Sequence, residues 1–462
     1  MRKLTTRPRR SHSRLHVLAI GLLCALLLGS NGVALGASTT LVKDIHTSGT
    51  SRPQGLVTID GILYFSAVNA NRGRELWRSN GTKAGTTLVA DINPTGSSLP
   101  DELTVVGDTL FFTAEDGVDG RELWRSDGTR HGTQMVKEIN PYRSRRQTTS
   151  PTWLTNVRGT LFFSAWDPTN GWELWRSNGT EATTTLVKDI NPSGSSNPQE
   201  LINVDGTLFF SADDGTTGQE LWRSDGTPDG TTLVKDINAA GPSLPEWLTN
   251  VDGTLFFSAW DPANGWELWR SNGTQAGTRL VRNINPAKGS NPEWLTNVGG
   301  TLFLSADDGT HGQELWRSDG SRAGTRMVKE IAVPGDANPE GLAAVGSKLY
   351  FSAWNATNGW ELWGSDGTAT GTRLVRDINR GPGDASPEWL TAVGGVLFFR
   401  ADDGSHGVEP WRSTGTRAGT TLVKDVNPAG SSDPSGFTSI ARTLFFSAFD
   451  RSHGTELWAY RR

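Results

Sequence analysis

Glu220-Leu-Trp-Arg-Ser-Asp-Gly-Thr227 decides how this chain is read, because its Glu-Leu-Trp core returns along almost the whole sequence. The motif tryptophans are Trp77, Trp124, Trp175, Trp222, Trp269, Trp316, Trp363, Trp411 and Trp458, most of them 47 residues apart. A unit of that length cannot bury both faces of its own small sheet, so neighbours must stack against it, as the blades of a propeller do. Upstream of Glu220, Leu201-Ile-Asn-Val204 and Thr207-Leu-Phe-Phe-Ser-Ala212 have the apolar, β-branched and aromatic content of strands. Asp205-Gly206 between them is a two-residue hairpin signal. Downstream, Asp225-Gly226 marks a second turn before a fourth strand, Thr232-Leu-Val-Lys-Asp-Ile237. The expected fold is all-β: a β-propeller of nine four-stranded antiparallel blades.

The two ends of the repeat region complement each other. Thr40-Leu-Val-Lys-Asp-Ile45 is a fourth strand with no blade before it, and Glu456-Leu-Trp458 is a third strand with no fourth after it. The N-terminal strand is therefore expected to complete the last blade and close the ring without a free edge. An open solenoid or an irregular ring is the alternative. The expected domain runs from residue 38 to 462.

Residues 1–36 read as a secretory signal peptide: a basic stretch with Arg2, Lys3, Arg7, Arg9, Arg10 and Arg14, an apolar core from Val17 to Leu28, and Ala34-Leu-Gly36 for cleavage. The single cysteine, Cys24, lies inside it, so the expected mature chain has no disulfide and depends on packing alone. Without those basic residues, 38 Lys and Arg face 49 Asp and Glu, a net charge of about −11. Such a surface does not attract nucleic acid or anionic lipid. The expectation is a secreted or cell-surface monomer with no nucleic-acid partner, no membrane insertion and no cofactor.

The recurring Glu-Leu-Trp-Arg-Ser-Asp-Gly-Thr, whole at 122–129 and 220–227 and with Asn for Asp at 173–180, resembles the bacterial ELWxxDGT repeat family across the whole mature chain. That resemblance implies an exported bacterial protein, some members being labelled hyalin-like, and brings no catalytic residue with it. Two copies depart from the pattern. The eighth reads Glu409-Pro-Trp411, where the missing N–H predicts a weakened strand, and the ninth lacks the Asp-Gly-Thr turn.

The motif tryptophans are read as blade-to-blade packing. The glutamate beside each must find partners inside the fold, and the basic residues of the fourth strands, Lys43, Lys137, Lys188, Lys235, Arg282, Lys329, Arg376 and Lys424, are the expected ones. Asn80, Asn178 and Asn272 match a glycosylation sequon but are expected in type I′ turns, where Asp stands in other copies.

Candidate ligand groups fall in the loop between second and third strands. An aromatic version carries Trp166, Asp167, Asn170 and Trp172, then Trp260, Asp261, Asn264 and Trp266, then Trp354, Asn355 and Trp360. Flat rings beside short polar chains suit sugars. An acidic version carries Asp213 and Asp214, Asp307 and Asp308, Asp402 and Asp403, which are weak calcium candidates. The crossovers between blades add Trp153, Trp247, Trp294 and Trp389. Catalysis needs groups in unlike roles, whereas each of these loops has copies. The expectation is therefore a non-catalytic module, binding glycan or a cell-surface protein at many equivalent places. The alternatives are an extracytoplasmic polysaccharide hydrolase or lyase and a purely structural surface or matrix protein.

Overall fold

The computed structural model describes residues 37–141 and 150–461; the expected signal segment, 1–36, lies outside them. The described chain is made of strands, with one 3-10 turn at Glu181–Thr183. Nine four-stranded antiparallel sheets follow one another: blade 1 at 54–90, blade 2 at 101–137, blade 3 at 152–188, blade 4 at 199–235, blade 5 at 246–282, blade 6 at 293–329, blade 7 at 340–376, blade 8 at 388–422 and blade 9 at 435–461. The first strand of each blade touches the first strand of the next, and blade 9 returns to blade 1, so these strands line the centre of a closed nine-bladed propeller. Ser38–Lys43 completes blade 9, pairing Leu41 with Trp458.

Stacking on both faces explains why the second strands read as unbroken apolar runs. In Thr207–Asp213 five consecutive residues are buried. Phe162, Leu174 and Val187 of blade 3 meet Leu201, Phe210 and Trp222 of blade 4 in one cluster, and every other pair of neighbours repeats it. The nine motif tryptophans are all buried there. Burying one such ring removes some 150–250 Å² from water, or about 4–6 kcal/mol before ordering costs.

The expected pairing of glutamate with lysine within a blade is corrected by the structure. Each glutamate turns to the crossover that leaves its own blade: Glu220 accepts from Ile237 N at 3.0 Å, Ser243 N at 2.9 Å and Ser243 Oγ at 2.6 Å. Backbone and hydroxyl donors satisfy a buried carboxylate without burying a second charge. The lysine crosses to the next blade, where Lys235 Nζ lies 5.7 Å over the Trp269 ring and donates to Thr278 O at 2.9 Å. Glutamate ties each blade to its exit; lysine clamps each blade to its neighbour.

The two Asp-Gly turns also differ. Asp205 and Gly206 both have positive φ, 51° and 84°, as a type I′ hairpin needs. In the second, Gly226 has φ 92° while Asp225 does not share the left-handed region, and the same holds where Asn80, Asn178 and Asn272 stand, so the expected type I′ turns are absent there. The reason is local bonding: Asp225 Oδ1 accepts from Thr227 N at 2.8 Å and Thr227 Oγ1 from Gly230 N at 3.0 Å, which builds a longer loop up to Thr232. In blade 8 the fourth strand shrinks to Thr421–Leu422, as expected from Pro410.

Candidate functional site

The rim loops hold their aromatic pairs in register: Trp166 faces Trp172, Trp260 faces Trp266 and Trp354 faces Trp360 across the second and third strands of blades 3, 5 and 7. An intervening blade separates each pair from the next. The polar groups between them close the loop itself. Asp167 Oδ1 accepts from Thr169 N at 2.8 Å, Asn170 N at 3.0 Å and Asn170 Nδ2 at 3.0 Å. Asp261 does the same with Ala263 and Asn264, and Asn355 accepts from Thr357 N and Asn358 N.

The acidic loops follow the same rule. Asp213 accepts from Gly215 N and Asp214 from the backbone and hydroxyls of Thr216 and Thr217. Asp307 and Asp402 accept from Gly309 N and Gly404 N, while Asp308 and Asp403 hold the Nδ1 of His311 and His406 at 2.8 Å. Those hydrogen bonds raise both imidazoles above their ordinary range. Among the described residues no group of three or more His, Cys, Asp or Glu is arranged to hold a metal.

A different set of residues lies on the first strands that line the central channel. In every first strand the second residue has positive φ: Gly55, Glu102, Trp153, Glu200, Trp247, Trp294, Gly341, Trp389 and Gly436. The register against the second strand shifts just after this residue, so it is a bulge that turns one side chain along the ring. Glu102, Trp153, Glu200 and Trp247 lean on the next blade. Glu102 Oε2 accepts from Leu154 N at 3.3 Å, and the rings of Trp247 and Trp294 are 5.2 Å apart. At Gly341 and Gly436 a side chain would begin against Leu390 and Leu56 of the following blades, at 3.7 and 3.4 Å.

The ring loses its symmetry at blade 8. Trp389, between Gly341 and Gly436 in the ring, is 45% exposed, while Trp153, Trp247 and Trp294 are half-buried. Beside it, Arg400 stands where the other eight blades carry Ser or Thr, and its guanidinium bonds the Glu388 carboxylate through Nε at 3.1 Å and through Nη2. The first strands of blades 7 and 8 are also more open than those of blades 3 to 6. Of these residues the repeat marked only Pro410 as a departure and set Trp389 beside Trp153, Trp247 and Trp294 as a like copy; the place of Arg400 and Trp389 needed the strand register and the bulge, whose φ angles no residue type announces.

No family model matches the chain, and no curated protein matches it. Among solved structures it is similar to a puromycin hydrolase (15% identity, TM-score 0.37, 78% of this chain and 60% of that one). It is also similar to a prolyl endopeptidase (12%, TM-score 0.44, 88% and 56%) and to a Pyrococcus horikoshii acylaminoacyl peptidase (10%, TM-score 0.39, 87% and 58%). The chain thus spans roughly three fifths of the length of these proteins. The expectation of a non-catalytic module for glycans or surface proteins is corrected on this finding, since the solved chains of similar fold are a hydrolase and peptidases. The likeness is one of fold.

Proposed function

We propose that this chain is a propeller of hydrolase type that holds its substrate at one place, the blade 8 sector of the channel mouth. The observation that carries the proposal is the break in ninefold symmetry there: an exposed Trp389 beside the Glu388–Arg400 pair, with bare glycine on either side in the ring. A substrate-holding site needs unlike groups within reach of one another, and these three residues supply an aromatic face, an anion and a cation. The class of reaction is taken from the printed names of the solved neighbours and is what the experiment addresses. The basic residues before the apolar run 17–28, together with the ELWxxDGT motif, support a place outside the cytoplasm.

The test is release of amine from a mixed library of blocked peptides by the full chain, with Trp389→Gly alongside. Glycine occupies the same place in three blades, so the variant keeps the fold. Turnover, or saturable peptide binding, that falls at least fivefold in the variant supports the proposal. A chain that neither binds nor cleaves any member of the library refutes it.

A further inference from the structure

Charge at the channel mouth is mostly negative. The residues that open the first strands include Asp101, Glu246, Glu293, Glu340 and Glu388, and the bulge that follows adds Glu102 and Glu200. Opposite those opening residues the second strands place Ser or Thr in eight blades and Arg400 in blade 8. Seven carboxylates thus stand at this level with the guanidiniums of Arg400 in blade 8 and of Arg74 in blade 1, whose Nη1 donates to Ser66 Oγ at 3.3 Å. Carboxylates gathered around one low-dielectric opening sum to a negative potential there, even where each keeps a local hydrogen bond. Burial and the neighbouring Asp101 both raise Glu102 above the usual carboxylate range, in keeping with crowding of like charge.

Within this field Trp389 offers the most exposed aromatic surface of the ring. An indole face attracts a cation within about 6 Å of its centre, and the fold already uses that attraction in seven blade-to-blade clamps of Lys or Arg over Trp. Those seven rings are buried and taken. Among the described residues no cation lies over Trp389, and Arg400, on the strand paired with its own, is turned to Glu388. The glycines beside it in the ring place no side chain over Leu390 and Leu56.

We infer that Trp389 and the carboxylates of the mouth bind the guanidinium or ammonium group of a peptide-like substrate. The inference rests on the reading of blade 8 as the substrate-holding sector and names what that sector selects. The cation stacks on Trp389, drawn in by Glu388 and Glu340, and the adjoining chain lies across the glycine gaps. A neutral or anionic group at the same place gains nothing from the field.

Two blocked pentapeptides test it against the full chain: one with a single arginine among glycines, and the same peptide with citrulline, which keeps the shape and loses the charge. The expected result is binding of the arginine peptide about tenfold tighter than the citrulline one, weakened by salt and lost to a similar extent in Trp389→Gly. Equal affinity for the two peptides, both reduced in the variant, overturns the charge selection and leaves the blade 8 site standing. Arginine-peptide binding that survives in Trp389→Gly overturns the inference as diffuse attraction to an acidic surface. Failure of both peptides to bind overturns both readings.

Discussion

At the scale of single residues, this fold is held by carboxylates with the right donors rather than by ion pairs. Six blades place a serine where Ser98 and Ser243 donate to the blade's glutamate, and blades 6 and 7 place Ala337 and Ala385 there. Glu361 Oε1 still accepts from Asn379 N at 2.8 Å, but its buried Oε2 has no partner. Ala385 is buried and its N–H bonds Trp360 O as its serine counterparts bond theirs. Ala385→Ser therefore returns the missing donor, and the protein is expected to gain about 1 kcal/mol in chemical denaturation. An unchanged or lowered midpoint would show that the hydroxyl does not reach Glu361. The sequence showed that each glutamate needed partners but pointed to the wrong ones. Lysine on the adjoining strand was the visible opposite charge, whereas the true donors are crossover N–H groups and a serine hydroxyl.

Among elements, the fourth strand of blade 8 shows how far one residue can undo a sheet. In seven other blades the third-strand leucine pairs with the fourth-strand basic residue, as Leu221 does with Lys235, and in blade 1 with Ala90. Pro410 offers no N–H at that place, and Lys424 lies beyond the strand's end at Leu422, although it keeps the interblade bond to Thr39 O that its counterparts make. Pro410→Leu is expected to lengthen that strand, slow amide exchange at 421–424, and add about 1 kcal/mol. Exchange as fast as in the parent chain would place the weakness elsewhere. Strand order, the first hairpin and this defect were legible, because β-branched and aromatic runs, Asp-Gly and proline act locally; the second Asp-Gly turn was not, since its loop depends on side-chain bonds to the backbone. The bulge was not: glutamate, tryptophan and glycine fill it in turn, and what they share is a backbone angle.

For the whole molecule, the repeat turns one titrating group into nine. Burial raises the glutamates well above the ordinary carboxylate range: to about 7 at Glu75, Glu220, Glu314, Glu361 and Glu409, and to about 8 at Glu122. The folded chain then holds these protons more tightly than the unfolded one. The stability they contribute is fully present below the unfolded carboxylate range and is lost as pH rises through about 7 to 8. The thermal midpoint is expected to fall between mildly acidic and mildly alkaline buffer, and Glu122→Gln should flatten part of that fall. A midpoint that climbs across the same range would mean that the crossover donors outweigh burial.

The ring as a whole makes its blades alike, and the account rests on one of them being different. Trp153, Trp294 and Trp389 occupy the same ring position with the same left-handed backbone, so replacing each in turn by glycine compares like with like. Peptide binding measured by calorimetry on these three single variants tests the central claim most directly. The account predicts a loss of at least fivefold for Trp389→Gly and less than twofold for Trp153→Gly and Trp294→Gly. Equal losses at all three positions would contradict it and return the mouth to a ring of equivalent sites.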